Sequence, residues 1–432
     1  MKHDHIIHFE FQQSTPFEAY AHIKVAPSLV DYIYSTTVER CASEIHLAGF
    51  KPGSAPIGYV ERHYHSAIIA YLRDFINSFC VDVFLREQLR ERQLVIAGVP
   101  RCKSSFVELH QPASFEFDIT VIPIPINSQW KHAHFRAPTR KNYRDLDNQV
   151  IAFLAEEHGI ATSLAGVTGV AANDWIGFFA TPHGNHVPLC DPTLLWMHVG
   201  SEDPDLEARN LFVNQIPSVE FFSEASLLQG FFRSFHDRQY NFSLCIKHHA
   251  QARHFNIDRF KQYFKLKSDK ELHRKFVEVF SFRHDISLRR ETAEAALRVA
   301  LRYHPFHVPF QFVQQEAEIL LEHICTNPDY YVYKSSPDFR EKVQLLAQKR
   351  VKEAALMDAL AYAENITVQE QDILDYLNLL KRPRTREFVY FMLPVTRVNE
   401  REMPLAHDTI AQVCLREKTL NHVIQLLVRN AL

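Results

Sequence analysis

Glycine is scarce in this sequence, which has only 11 glycines among 432 residues. Average usage of about 7% would give roughly 30. This shortage argues against a protein built on glycine-rich phosphate loops, and the sequence contains neither GxxxxGK[ST] nor GxSxG. Residues 231–432 contain no glycine at all and are rich in Leu, Ala, Glu, Lys, Gln and Arg. That composition predicts a helical C-terminal half.

Several other features are also missing. The formal net charge is only -3, so no general attraction to DNA or to an anionic membrane is expected. The seven cysteines form no CxxC pair, which is typical of reduced cytoplasmic thiols. The sequence shows neither a secretory leader nor an apolar run of about 18 residues. We therefore expect a soluble, cytoplasmic protein that binds neither DNA nor membranes.

Histidine, by contrast, is abundant, with 25 residues, several of them in close pairs. A zinc site needs three or four ligands, usually in a compact motif such as HExxH or paired cysteines. Neither motif occurs. The sequence therefore predicts surface or half-buried imidazoles, with no metal and no cofactor.

The first 126 residues mix helix and strand patterns. An aromatic and aliphatic repeat at three and four residues predicts one long amphipathic helix over 57–92. Strict alternation of apolar and polar residues over 115–121 predicts a strand that buries one face only. The other predicted elements are a strand over 20–25, a helix over 28–47 and a strand over 105–109.

The middle of the chain changes character twice. Residues 127–149 are polar and basic, which predicts an exposed connector that leads into a short helix over 146–158. Residues 159–253 hold seven of the eleven glycines and several short apolar runs bounded by turn residues. These runs, over 175–180, 219–222 and 240–246, predict a compact β-rich domain.

From residue 254 onward the pattern predicts a series of helices. Ser336-Pro337 is expected to open one of them, with Ser as cap and Pro at the first helical position. Residues 367–370 resemble a capping box, and two further helices are expected after about residue 403. The large apolar residues between 255 and 280 are too many to lie along one narrow stripe of a helix. They favour either an open groove for apolar segments or packing between helices.

One loop carries a family resemblance. Gly49-Phe50-Lys51-Pro52-Gly53-Ser54-Ala55-Pro56 lies between two predicted helices and resembles the ribosome-docking signature GFRxGxxP of bacterial trigger factor. Residues 115–121, 241–247, 255–258 and 306–310 follow the order of that family's segments, so the resemblance extends over the whole chain. Two departures stand out: Lys51 replaces an Arg, and Pro52 replaces a basic residue.

The resemblance implies an α+β multidomain fold. Its expected parts are a ribosome-binding domain over 1–126, a connector over 127–158, a degenerate FKBP-like peptidyl-prolyl isomerase domain over 159–253, and a helical chaperone domain over 254–432. The implied partners are the ribosome near its exit tunnel and nascent or unfolded polypeptides, with a homodimer off the ribosome left open. The implied ribosome-binding residues are Gly49, Phe50, Lys51, Gly53 and Pro56.

The expected function is that of an ATP-independent, ribosome-associated chaperone that assists protein folding. An isomerase would hold the prolyl ring in an apolar, aromatic-lined pocket. The candidate pocket residues are Phe178, Phe179, Leu206 and Phe242, which are too few to identify a catalytic residue. Two alternatives stay open: an active prolyl isomerase whose ribosome contact is incidental, and a helical scaffold or holdase that does not bind ribosomes.

Overall fold

The computed structural model describes residues 7–44, 50–51, 54–139, 144–163, 169–184, 187–188, 190–200, 206–232, 241–280, 286–325, 330–398 and 401–429. Helices and sheets are both present, and the C-terminal region is largely helical. This confirms the predicted α+β class. The predicted domain boundaries stay a prediction.

A four-stranded antiparallel sheet forms the N-terminal part, in the order β1-β2-β4-β3. The predicted alternation in β4 is confirmed, because every second side chain from Ala113 to Ile119 is buried. These residues share one core with the helices over 27–44, 57–76 and 82–91. The strands are β1 (Ile7–Gln13), β2 (Glu18–Val25), β3 (Arg101–Phe106) and β4 (Ala113–Thr120).

The predicted long helix is confirmed as a continuous helical rod. It consists of α2 (Ile57–Ile76), a π-helical turn (Asn77–Val81) and α3 (Asp82–Glu91). The preceding helix, α1 (Pro27–Glu44), starts one residue before its predicted position. The π turn contains Phe79, whose ring stacks on Phe232 in the middle of the chain.

The predicted strand over 105–109 was misplaced, since β3 ends at Phe106. The chain turns away because the backbone N–H of His110 donates to a carboxylate oxygen of Asp31 on α1, at 2.8 Å. His110 also has a positive φ of 62°, which a strand does not allow. A contact between residues far apart in the chain thus overrides the local strand pattern.

The predicted exposed connector is wrong for Trp130, Ala133 and Phe135, whereas the residues between them are exposed or half-buried. A 3₁₀ turn (Gln129–His132) places Trp130 in the core of the helical region, and Ala133 and Phe135 are buried beside it. The polar composition of this segment hides these apolar anchors. The next helix, α4 (Arg144–Ser163), contains the helix predicted over 146–158.

The middle of the chain forms a second antiparallel sheet, in the order β12-β7-β5-β9-β8, with β6 paired to β5. The three predicted apolar runs lie in or overlap β5, β8 and β9. Strand β12 comes from near the end of the chain and pairs with β7, so the C-terminal region completes this sheet. The elements are β5 (Trp175–Gly184), β6 (Val187–Pro188), β7 (Thr193–His198), α5 (Leu206–Phe212), β8 (Glu220–Ser223), α6 (Ser226–Phe231), β9 (Asn241–Ala250) and β12 (Leu405–Ala406).

The C-terminal part is a body of helices, as predicted from its lack of glycine. A two-stranded ribbon, β10 (Arg397–Val398) with β11 (Arg401–Glu402), precedes the last helix. The helices are α7 (Ile257–Phe264), α8 (Asp269–Val277), α9 (Leu288–Tyr303), α10 (Phe310–Cys325), α11 (Tyr330–Lys334), α12 (Phe339–Ala363), α13 (Glu370–Leu380), α14 (Pro383–Arg386) and α15 (His407–Arg429).

Three details of this part differ from prediction. Ser336 does not cap a helix; its hydroxyl donates to Asp338, and α12 begins one residue after that acceptor. The capping box lies two residues later than expected, because the Gln369 N–H donates to the Asp372 carboxylate at 2.8 Å. Within the described residues, one helix, α15, stands where two were expected after residue 403.

The large apolar residues between 255 and 280 form a core and not a groove. Phe255, Phe260 and Phe276 are buried, with Phe260 and Phe276 stacked at 4.5 Å between ring centroids. Phe388, more than a hundred residues further along the chain, closes the cluster at 5.0 Å from Phe260. The alternative of packing between helices is therefore correct.

A buried ion pair anchors the last helix. Arg289 of α9 and Glu417 of α15 lie 3.3 Å apart, and their side chains are only 3% and 0% exposed. The second carboxylate oxygen of Glu417 accepts the N–H groups of Tyr390 and Phe391, at 2.8 and 3.0 Å. Burial raises the pKa of Glu417, and the guanidinium and the two N–H groups oppose that rise. The pair ties together α9, the segment after α14, and α15.

Replacing Arg289 with alanine leaves the Glu417 carboxylate buried without its cation. We expect the free energy of unfolding to fall by about 3–5 kcal/mol, the usual cost of breaking a buried pair from one side. Urea unfolding followed by circular dichroism measures the loss. The control is Arg290→Ala on the same helix, whose side chain is 60% exposed and should cost less than about 1 kcal/mol. Equal losses for the two variants would contradict the anchoring role.

Candidate functional site

The first candidate site is the turn between α1 and α2. Lys51 is exposed there, and its carbonyl oxygen accepts hydrogen bonds from the Ser54 N–H at 3.0 Å and from the Ser54 hydroxyl at 2.7 Å. Pro56 is exposed and directly precedes α2. Gly49 and Gly53 lie outside the described residues. The turn thus presents an ammonium group to solvent from a hydrogen-bonded backbone.

Phe50 belongs to a ladder of three rings that the sequence analysis missed. Its half-buried ring lies 5.0 Å from the ring of Tyr59, which stacks on the exposed imidazole of His63 at 4.0 Å. The His63 Nδ1 lies 3.0 Å from the Tyr59 carbonyl oxygen, so this nitrogen carries a hydrogen and donates it. We call Phe50, Tyr59 and His63 the aromatic ladder. The four-residue spacing of its two helical members was the available sequence signal.

The helices on either side of the turn are held together beneath it. The hydroxyl of Tyr34, on α1, lies 3.2 Å from Nδ1 of His65, on α2. Tyr34 is buried, and burial raises the pKa of its hydroxyl, so this group stays protonated. The turn therefore sits on a fixed pair of helices. An exposed cation beside stacked rings suits phosphate groups and flat, aromatic or nucleobase surfaces.

The second candidate site, the predicted isomerase pocket, is not assembled as an open pocket by the described residues. Phe178 and Phe242 lie on the same face of the middle sheet and are fully buried. Phe178 packs on Phe212 of α5, with 4.8 Å between ring centroids. Phe242 packs on Phe232, at 5.3 Å. These two candidates are core residues that a substrate does not reach.

The helical rod closes that core from outside the sheet. Phe79, in its π turn, stacks on Phe232 with 5.0 Å between ring centroids and 21° between planes. Phe179 follows Phe178 along β5 and therefore points to the opposite face, where it is partly exposed. The side chain of Leu206 lies outside the described part of the chain. The three candidates whose side chains are described thus do not converge on one cavity.

A third feature emerged only from the structure. Residues 310–346, which we call the arm, contain seven of the twenty large apolar side chains that are exposed in the described residues. Tyr331 and Val332 of α11 are 81% and 69% exposed. The arm has its own small core between α10 and α12, separate from the other cores. Its exposed members are Phe310, Ile319, Tyr331, Val332, Tyr333, Leu345 and Leu346.

The described residues contain neither a metal-binding cluster nor a membrane-spanning helix. No group of three or more His, Cys, Asp or Glu side chains in this part of the chain is placed to hold a metal ion. Among the helices that the structure describes, none combines the length and apolar character needed to cross a membrane.

Two protein-family models match the chain. The model described as bacterial trigger factor protein (TF) matches residues 8–149, and the model described as its C-terminus matches residues 257–382. Together they span more than half of the sequence, one over the turn between α1 and α2 and the other over the arm. The chain belongs to the bacterial trigger factor family, and it is a protein-folding chaperone.

A solved structure titled "Promiscuous Substrate Recognition in Folding and Assembly Activities of the Trigger Factor Chaperone" also resembles the chain. The two are 12% identical, the match covers 96% of this chain and 99% of the other, and the TM-score is 0.37. At this TM-score the similarity says nothing about the details of the fold. No curated protein sequence matches the chain.

Proposed function

We propose that this chaperone acts without ATP in the cytoplasm, on the ribosome, and shields apolar segments of nascent or unfolded polypeptides. The main support for the proposal is that exposed apolar side chains concentrate on the arm. The helices of the arm have a small core of their own. Monomeric proteins rarely expose apolar groups together unless they bind something. Contacts of this kind are individually weak, so a client can leave without an energy source.

Ribosome binding is assigned in this proposal to the turn between α1 and α2. Lys51 supplies a positive charge for RNA phosphate, and the Phe50 ring, held by Tyr59, supplies an apolar contact. Lysine keeps the charge of arginine but lacks its bidentate geometry. Tyr59 acts as a positioning residue in this scheme, because it fixes the ring next to Lys51.

The middle sheet is proposed to be a packing unit between the docking region and the helical body and not a catalytic centre. Its aromatic face is closed by α5, α6 and the helical rod. Rotation about an X-Pro bond would need an open apolar pocket that desolvates the amide.

Co-sedimentation with ribosomes tests the docking assignment. We expect Lys51→Ala and Phe50→Ala each to weaken binding by about tenfold, equivalent to about 1.4 kcal/mol. Lys51→Ala should also lower the slope of log affinity against log salt by about 1, since one phosphate contact is lost. Tyr59→Leu should weaken binding, whereas Tyr59→Phe should bind like the parent, because the ring of this residue and not its hydroxyl packs against Phe50.

The matched control for that experiment is Lys103→Ala, which removes another exposed cation, on strand β3. It should bind like the parent. Failure of the parent protein to pellet with ribosomes would remove ribosome binding from the proposal, and an equal loss in the control would show a nonspecific charge effect.

Suppression of aggregation tests the arm. A triple variant with Tyr331→Ser, Val332→Ser and Leu345→Ser removes apolar contacts at positions that are all more than half exposed, so folding should be kept. We expect the amount of chaperone that halves light scattering by a denatured client, without ATP, to rise severalfold. The control pair Ile216→Ser and Val219→Ser, also exposed, should act like the parent. Full protection by the triple variant would assign client binding elsewhere.

A protease-coupled assay on an X-Pro peptide tests the middle sheet. We expect isomerisation at the uncatalysed rate, because Phe178 and Phe242 are enclosed in the core. Acceleration that disappears in Phe179→Ala would contradict this proposal and would place a pocket on the opposite, partly exposed face of β5. Normal circular dichroism of that variant would show that the fold is kept.

A further inference from the structure

The start of helix α15 is a joint where three parts of the chain meet. Strand β12 immediately precedes this helix, and its Leu405 pairs with Trp196 of β7 in the middle sheet. His407 is the first residue of α15. Arg90, near the end of the helical rod, lies 3.2 Å from the carboxylate of Asp408. The N-terminal rod, the middle sheet and the helical body therefore all contact this one helix end.

A side-chain hydrogen bond between Trp196 and His407 also joins the middle sheet to α15 at this point. The indole nitrogen Nε1 of Trp196, a fully buried residue, lies 3.1 Å from Nδ1 of His407. An indole N–H can only donate, so Nδ1 of His407 must accept. A ring that accepts at Nδ1 is neutral, and protonation at that nitrogen would place two hydrogens face to face. The bond therefore exists only while His407 is uncharged.

The indole has no room to turn toward another partner. It stacks on the His248 imidazole, with 5.3 Å between ring centroids and 6° between planes. Beneath both rings lies Gly177, where a Cβ atom would come within 3.1 Å of each of them. Loss of the acceptor would thus leave a buried N–H without a partner, which costs about 1–3 kcal/mol. Separation of β12 and α15 from the sheet relieves that cost.

The charges around His407 come from four elements. Asp408 on α15 and Glu370 at the start of α13 favour a charged ring, whereas Arg90 on α3 and His248 on β9 oppose it. Burial is the largest influence, and it holds the pKa of His407 below its ordinary value of 6.5. The positive end of the α15 dipole lies at the same place and also disfavours a charged ring.

We propose that His407 is a pH-sensitive latch between the middle sheet and the helical body: the neutral ring holds β12 and α15 on the sheet, and the protonated ring releases them. In the released state the ring is solvated and takes up a proton more readily. The latch is therefore fully closed above about pH 6.5 and loses stability as the pH falls through 6.5 toward the depressed pKa of the closed state.

Tryptophan indole resonances in the full-length protein test the latch. The chain has three Trp residues, so ¹⁵N-Trp labelling gives few signals, and Trp196→Phe identifies the one of interest. We expect the Trp196 signal to shift or be lost on acidification from about pH 8 to about pH 5. The signal of Trp130, buried among the helices, should not change with it.

The decisive variant is His407→Gln, because a glutamine amide oxygen can accept the same hydrogen bond and does not titrate. Its Trp196 signal should be independent of pH. The matched control is His198→Gln, which removes another imidazole of the same strand region, 3.5 Å from Glu402, and should keep the response of the parent. A pH response that persists in His407→Gln, or is absent in the parent, would overturn the proposal.

Hydrogen exchange gives a second readout that separates release of the joint from general unfolding. After correction for the intrinsic pH dependence, amides of β7 and β12 should lose protection by at least about fivefold on acidification, the lower end of typical coupling between sites. Amides of β4, in the N-terminal sheet, should keep theirs. Equal loss in both sheets would show unfolding of the whole protein and would also overturn the latch.

Discussion

A buried ion pair holds the last helix against its neighbours, and the meeting point of three parts of the chain follows from that position. Glu417 holds α15 against Arg289 of α9 and against two backbone N–H groups of the segment after α14. At the start of α15, strand β12 pairs with β7 of the middle sheet, and Asp408 contacts Arg90 of the helical rod. A pair buried this completely contributes mainly by fixing one arrangement, because desolvation offsets much of its attraction.

The surfaces proposed for function lie away from this anchored centre. The turn between α1 and α2 presents Lys51 and the aromatic ladder, and the arm presents apolar side chains on helices with their own small core. The arm has a small core of its own, and a segment with a small core is the usual kind that adapts to different partners. In this proposal the anchored centre keeps the fold in place, and the exposed surfaces bind the partners.

Much of this could be predicted from the sequence. The alternation in β4, the three- and four-residue repeat of the helical rod and the motif around Lys51 are local signals, and all three located their elements. The failures have a common cause. Trp130 lies in a polar, basic segment, and it becomes a core residue through helices that are more than a hundred positions away. The His110 turn likewise depends on Asp31 of α1.

The sequence by itself determined the α+β class and the family, because periodicity and motif spacing act over a few residues. Tertiary structure alone decided that the apolar residues from 255 to 280 are core, that Phe178 and Phe242 are enclosed, and that exposed apolar side chains gather on the arm. It also brought Trp196 to His407, 211 residues apart in the chain. Burial is a property of contacts between distant segments, and a local pattern records which residues are apolar but not which partner covers them.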